Sequence, residues 1–142
     1  MTALRRLMAM SMIALLSGCN GLWLDTYWRS DRYVLLAVDS REQMNLALDM
    51  GDGSAIGLVG PTIFSLGANQ EYIVVKQHPS NDGFPGAVDR TITRYFVVSR
   101  NHSAAFPDHA KGVRGPLTQA EYDALRATQQ LPPFTKTLAD LE

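Results

Sequence analysis

The stretch Glu71-Tyr72-Ile73-Val74-Val75-Lys76-Gln77 decides the fold. β-branched and aromatic residues fill its middle, and these residue types favour β-strands. Its nearly continuous apolar character indicates a strand covered on both faces, and therefore a central position in a sheet. Turn-forming residues bound it on both sides: residues 67–70 precede it, and residues 78–86, with two prolines and two glycines, follow it.

Shorter apolar runs on either side of this stretch predict further strands. Residues 32–39 and 44–50 are interpreted as a strand pair, and residues 55–59, 62–66 and 91–100 follow as additional strands. Residues 78–90 and 101–115 are predicted to be irregular loops, because glycine, proline and other turn-forming residues concentrate there.

A helix is predicted to open at Leu117-Thr118-Gln119-Ala120-Glu121-Tyr122. Thr118 stands at the N-cap position with Glu121 three residues later, which is the spacing of a capping box, and Leu117 with Tyr122 forms a hydrophobic staple. Strands followed by one helix predict an α+β domain. We expect an antiparallel sheet of about five or six strands with one C-terminal helix packed on a face.

The first residues have the layout of a secretory signal. Arg5 and Arg6 precede a short apolar run over residues 7–16. About ten residues of helix rise only about 15 Å, roughly half of a hydrocarbon core, so this run is too short to span a bilayer. Leu16-Ser17-Gly18-Cys19 follows and resembles the lipobox of bacterial lipoproteins. The alternatives are an ordinary secretory signal with a chance cysteine, or a buried N-terminal helix.

The lipobox resemblance implies cleavage before Cys19 and attachment of lipid to that cysteine. By the same resemblance, Asn20 rather than Asp after the cysteine implies transfer to the outer membrane, on its periplasmic face. Several buried acyl chains at roughly 0.8 kcal/mol per methylene make such an anchor permanent on the protein's working timescale. Cys19 is the one cysteine of the sequence, so no disulfide forms within the chain.

These features divide the chain into a cleaved signal peptide (1–18), a lipidated anchor with a short tether (19–29) and one globular α+β domain (30–142). Trp23 and Trp28 lie near the anchor, where they suit either the membrane interface or a first strand that caps the core, and we favour the core. The 13 basic residues less Arg5 and Arg6 leave 11 against 14 acidic ones in the mature chain. No basic face for nucleic acid is implied.

Three segments resemble a group of small uncharacterised bacterial lipoproteins: residues 67–79, 95–98 and 115–122, within a looser match over about 30–132. The shared features are a strand that ends in Gln-His-Pro, a second strand led by aromatic residues, and a Gly-Pro-Leu-Thr opening to a helix. The resemblance implies a fold of this kind and implies no activity, because the group has none established.

The sequence predicts neither a catalytic residue nor a metal or cofactor site. The three histidines, His78, His102 and His109, match no metal-ligand spacing, and no serine lies in a nucleophile elbow. The loops 78–90 and 101–115 instead suggest a possible interaction surface, to which we assign the residues Lys76, Gln77, His78, Phe84 and Phe106. As an alternative, Gln77 and His78 satisfy backbone groups of the loop, and Phe84 and Phe106 return to the core.

The predicted function is non-enzymatic binding of another macromolecule at the cell envelope. An immunity or inhibitor protein against an envelope-acting toxin is one version of it. Two alternatives remain: a small periplasmic hydrolase that uses His78 with acidic residues of the loops, and a small-ligand or metal-binding protein with a cleft between the two loops. The oligomeric state is left open.

Overall fold

The fold is described from a computed structural model over residues 24–81, 86–100 and 112–142. The described elements are β1 (Leu24–Ser30), β2 (Tyr33–Val38), a short 3-10 helix (Arg41–Gln43), β3 (Asn45–Asp49), β4 (Ala55–Val59), β5 (Ile63–Ala68), β6 (Tyr72–Gln77), β7 (Arg94–Ser99), β8 (Val113–Leu117), α1 (Gln119–Thr128) and β9 (Lys136–Thr137). Among these elements, no helix is long and apolar enough to cross a bilayer.

The strands form two antiparallel sheets. The N-terminal sheet has the order β1-β2-β3-β4, and the C-terminal sheet has the order β8-β7-β6-β5-β9. The α+β class with a helix near the C-terminus is confirmed, and β6 occupies the middle of its sheet as its apolar character predicts. The chain passes from the first sheet to the second at Gly60 and Pro61, between β4 and β5, where proline has no N–H to continue a ladder.

The two sheets enclose the main core. Leu35 and Leu46 from the N-terminal sheet meet Ile63, Ile73 and Val75 from the C-terminal sheet, and each of these side chains is fully buried. Alternation along β6 sends Ile73 and Val75 into this core and turns Val74 to the opposite face. The apolar side chains inside this core are the principal source of stability, because each fully buried one contributes about 1.5 to 3 kcal/mol.

Helix α1 covers the outer face of the C-terminal sheet. Tyr122 and Leu125 pack there against Val74, Tyr95 and Val97, and the rings of Tyr95 and Tyr122 stack with their centroids 4.9 Å apart. The molecule is therefore layered as sheet, sheet and helix.

The predicted capping box is confirmed at the start of α1. The Thr118 hydroxyl accepts a hydrogen bond from the Glu121 N–H at 3.3 Å, and the Glu121 carboxylate accepts one from the Thr118 N–H at 2.7 Å. The latter bond, together with a bond from the Thr118 hydroxyl, lowers the pKa of Glu121. Local sequence therefore fixes where this helix begins.

β1 begins at Leu24, inside the segment 19–29 that we assigned to the tether, and Trp28 packs against the main core, as the favoured first-strand interpretation requires. β8 and β9 lie where the sequence predicted no strand. β8 lies partly inside the segment 101–115 that we predicted to be irregular. Gly115 and Pro116 are residue types that predict a turn, so β8 is not evident in the sequence. Proline is tolerated in an edge strand, where the missing N–H can face away from the ladder.

The C-terminal segment returns along β5 and approaches it closely at Gly67. A Cβ atom built on Gly67 would lie 1.8 Å from the Pro133 carbonyl oxygen. The Thr135 N–H donates to the Leu66 carbonyl at 3.0 Å, and the Asn69 side-chain amide donates to the Gln130 carbonyl at 2.9 Å. Glycine at position 67 therefore permits the backbone contact that holds this segment in place.

Candidate interaction surface

Gln77 and His78 are buried rather than displayed on the surface, with exposed fractions of 7% and 3%. The Gln77 side-chain amide donates to the Gly60 carbonyl at 2.9 Å, and His78 Nδ1 lies 2.8 Å from the Ile92 carbonyl oxygen. The His78 ring also stacks on Phe64, with centroids 4.1 Å apart. These contacts favour the alternative in which both residues satisfy backbone groups of the adjoining loops, and a partner reaches neither side chain in the folded chain.

The hydrogen bond to Ile92 identifies the donor nitrogen of His78. A carbonyl oxygen only accepts, so Nδ1 donates in this bond. Within the described part of the chain, neither His78 Nε2 nor Gln77 Oε1 has a hydrogen-bond partner, although both atoms are buried. Unpaired buried polar atoms oppose folding, so the packing around these two side chains must offset that cost.

Lys76 points to the other face of β6. Its ammonium group lies 4.8 Å from the centroid of the Phe134 ring and 5.9 Å from that of Tyr95, so it is held over aromatic rings beside α1. Alternation along the strand separates it from Gln77. The residues Lys76, Gln77 and His78 therefore do not form one continuous surface.

The remaining predicted site residues lie outside the described ranges. Cys19, Phe84 and Phe106 are among them, together with His102 and His109. Their assigned roles stay predictions from the sequence.

Asp89 is the acidic loop residue that interacts electrostatically with His78. Hydrogen bonds from the Thr91 hydroxyl and the Thr91 N–H lower its pKa, and His78 adds a smaller effect in the same direction. Among residues 24–81, 86–100 and 112–142, no group of three or more His, Cys, Asp or Glu side chains is placed to hold a metal ion. Asp89 is therefore engaged in shaping its own turn.

An open cleft lies between β1, β2 and the 3-10 helix, lined by Asp25, Tyr27, Ala37, Asp39, Ser40 and Arg41. Arg41 is its one basic lining residue, and its guanidinium binds both carboxylate oxygens of Asp140 at 2.5 and 2.6 Å. The guanidinium also lies 4.7 Å from the Tyr27 ring centroid. Arg41 is therefore already paired, and its ion pair with Asp140 links the C-terminal segment to the N-terminal half of the chain.

The ends of the two sheets offer a different candidate, because edge strands expose unpaired backbone N–H and C=O groups. Among the described edge strands, β1 carries Asp25, Arg29 and a bulge, β8 carries Arg114 and Pro116, and β9 has only two residues, one of them Lys136. Charges, proline, bulges and short length are the devices by which proteins protect such edges.

β4 has a bulge, as β1 does, but it differs from the other described edge strands in that its sequence Ala-Ile-Gly-Leu-Val contains neither a charged residue nor a proline. Its register against β3 shifts at Leu58, which leaves Ala55–Gly57 as the regular part. Ala55 and Gly57 are exposed, and Ile56 and Leu58 are half-buried. We call the outward side of β4 the open edge.

The sequence shows that residues 55–59 carry no charge, but it does not show whether they form a central strand or an edge strand of a sheet. Whether a strand lies inside a sheet or at its end depends on which strands pair, and pairing is a property of the whole chain. The open edge is therefore found in the tertiary structure alone.

No family model, curated protein or solved structure matches the chain. Its function is therefore inferred from its own residues.

Proposed function

We propose that this protein is a lipid-anchored envelope protein that binds another protein by accepting an extended segment along the open edge. It has no enzymatic role in this proposal, and an immunity or inhibitor protein against an envelope-acting toxin is one form that the function takes. The single observation that carries the proposal is the edge of β4, which has neither a charged residue nor a proline over its regular part, Ala55–Gly57.

The physical reason lies in the backbone groups of the open edge. An added strand receives main-chain hydrogen bonds there, and the flanking side chains supply specificity. An open edge is also an aggregation hazard, which the other described edges avoid by charge, proline or short length. Because β4 lacks the charge and proline that protect other edges, its risk of aggregation is retained, and this favours a role in binding for the open edge.

The proposed anchor supports this arrangement. Cys19 precedes Leu24 by five residues, which span at most about 18 Å when fully extended. β1 and β4 are the opposite ends of the N-terminal sheet, and three strand spacings place them about 14 Å apart. The open edge therefore lies on the far side of this sheet from the anchored strand, where an envelope partner has access to it.

Variants of Gly57 test the binding role. Gly57→Pro removes an N–H from the open edge, whereas Gly57→Thr keeps the N–H and adds a side chain where an added Cβ meets nothing within 4 Å. We expect proteins that co-purify with the wild-type chain from membranes to be retained by Gly57→Thr and lost by Gly57→Pro. Equal thermal midpoints of the two variants are the control for folding. Retention of the same partners by folded Gly57→Pro would refute the proposal.

The anchor has its own test. Radioactive palmitate should label the wild-type chain in cells and should not label Cys19→Ser. Label on Cys19→Ser would show that lipid is attached elsewhere.

A further inference from the structure

We infer that the segment that pairs with the open edge is a strand of another protein that places large apolar or aromatic side chains opposite Ala55 and Gly57, and not the open edge of a second copy. This inference rests on the proposed function and specifies its partner.

The direction of the backbone groups follows from the β3–β4 hairpin. The Met50 N–H donates to the Ser54 carbonyl at 3.0 Å, so Ser54 turns its carbonyl towards β3. Hydrogen-bonding direction alternates along an antiparallel strand. Ile56 therefore bonds with β3, whereas Ala55 and Gly57 present their N–H and C=O groups outward. An antiparallel partner strand pairs with these two residues.

The side chains of the open edge leave a notch. Gly57 lies opposite Ala47 and Ala55 lies opposite Asp49, so Ala55 and Gly57 belong to the same outer face of the N-terminal sheet. Within residues 24–81, 86–100 and 112–142, a Cβ atom on Gly57 meets nothing within 4 Å. Cross-strand side chains contact each other directly, and an aromatic residue opposite glycine covers the exposed backbone. A large side chain on the partner therefore fills space that this chain leaves empty.

The opposite side of the same edge is apolar as well. Ile56 and Leu58 are half-buried, and Leu58 contacts the main core from its margin. An apolar residue of the partner beside Ile56 removes the remaining exposed surface from water. A charged residue there would lose hydration without gaining an ion pair, because residues 55–59 carry no charge.

The open edge of a second copy lacks the required side chains. In antiparallel self-pairing, outward-bonding residues must meet outward-bonding residues. Gly57 then lies opposite Ala55 or Gly57 of the other copy, and the notch stays unfilled. Side-chain size therefore favours a foreign strand over the pairing of two open edges.

The experiment uses the full chain in detergent micelles. The probes are seven-residue peptides with lysine at each end and threonine at the other positions, except the central residue, which is phenylalanine, alanine or glutamate. Binding is followed by NMR shifts and hydrogen exchange of the Ala55 and Gly57 amides. We expect phenylalanine peptides to bind up to about fivefold more tightly than alanine peptides, the range of a cross-strand pair, and glutamate peptides to bind most weakly. In Gly57→Val, which fills the notch, we expect binding to persist and the preference for phenylalanine to disappear.

The outcomes separate the two proposals. Peptides that slow exchange at Ala55 and Gly57 equally well with every guest would overturn the inference and leave the proposed function standing. Peptides that leave both amides unchanged would contradict the proposed function itself. Protection of the Gly57 amide that rises with protein concentration in the absence of peptide would identify a second copy as the occupant and overturn the inference.

Discussion

Substitution of Gly67 by alanine should detach the C-terminal segment from β5. The added Cβ would lie 1.8 Å from the Pro133 carbonyl oxygen and 2.7 Å from the Pro133 carbonyl carbon. Ordinary van der Waals contact begins at 3.4 Å, so the first of these distances is about 1.6 Å too short. Both contact atoms belong to the backbone, and no change of rotamer relieves the overlap. The segment itself must move.

The cost follows from the contacts that such a movement breaks. A displacement of about 1.6 Å stretches the bonds Thr135 N–H to Leu66 C=O and Asn69 to Gln130 C=O, now 3.0 and 2.9 Å, well beyond bonding distance. Each contributes about 1 kcal/mol. Partial exposure of Phe134, which packs with Tyr122, adds about 1 to 2 kcal/mol. We expect a loss of about 3 to 4 kcal/mol, a substantial part of a typical total of about 5 to 15 kcal/mol.

Gly57→Ala is the matched control. It makes the same chemical change in a strand, but its Cβ meets nothing within 4 Å. We expect its stability to stay within about 0.5 kcal/mol of wild type or to rise, because alanine restricts the unfolded chain. Urea unfolding followed by circular dichroism measures both variants, and hydrogen exchange of the Thr135 amide reports on the segment. If Gly67→Ala matched Gly57→Ala in stability and Thr135 stayed protected, the close approach at Gly67 would be refuted.

Two predictions concern pH. Burial raises the pKa of Tyr33, Tyr95 and Tyr122 above the ordinary 10.0. The stability that comes from their neutral phenols is therefore complete below pH 10 and is lost as the pH rises through the pKa values of the folded state. Tyrosinate absorbance and the unfolded fraction should increase together. Titration of these three at pH 10 in a folded chain would contradict this. The hydrogen bonds from Arg41 lower the pKa of Asp140 below its ordinary 3.8. The contribution of this ion pair to folding stability is therefore complete above pH 3.8 and is lost as the pH falls through the lowered pKa. Asp140→Asn should therefore be less stable than wild type at neutral pH only, and a deficit in thermal midpoint that persisted in strong acid would contradict the pairing.

The sequence by itself determined the elements whose causes are local. The start of α1 follows from Thr118 and Glu121, which are three residues apart and need no other part of the chain. The central position of β6 follows from its apolar run, because only a strand covered on both faces tolerates so few polar residues. The α+β class follows from the order of these elements.

The tertiary structure alone decided how the strands are grouped and which groups are accessible. Gln77 and His78 look like exposed polar residues at a strand end, yet they are buried because residues distant in sequence, Gly60 and Ile92, supply carbonyl groups to them. Pro116 argues locally against β8, yet an edge position accommodates it. The open edge of β4 has the same origin: a strand becomes an edge because of what does not pair with it, and pairing depends on contacts between residues far apart in the chain.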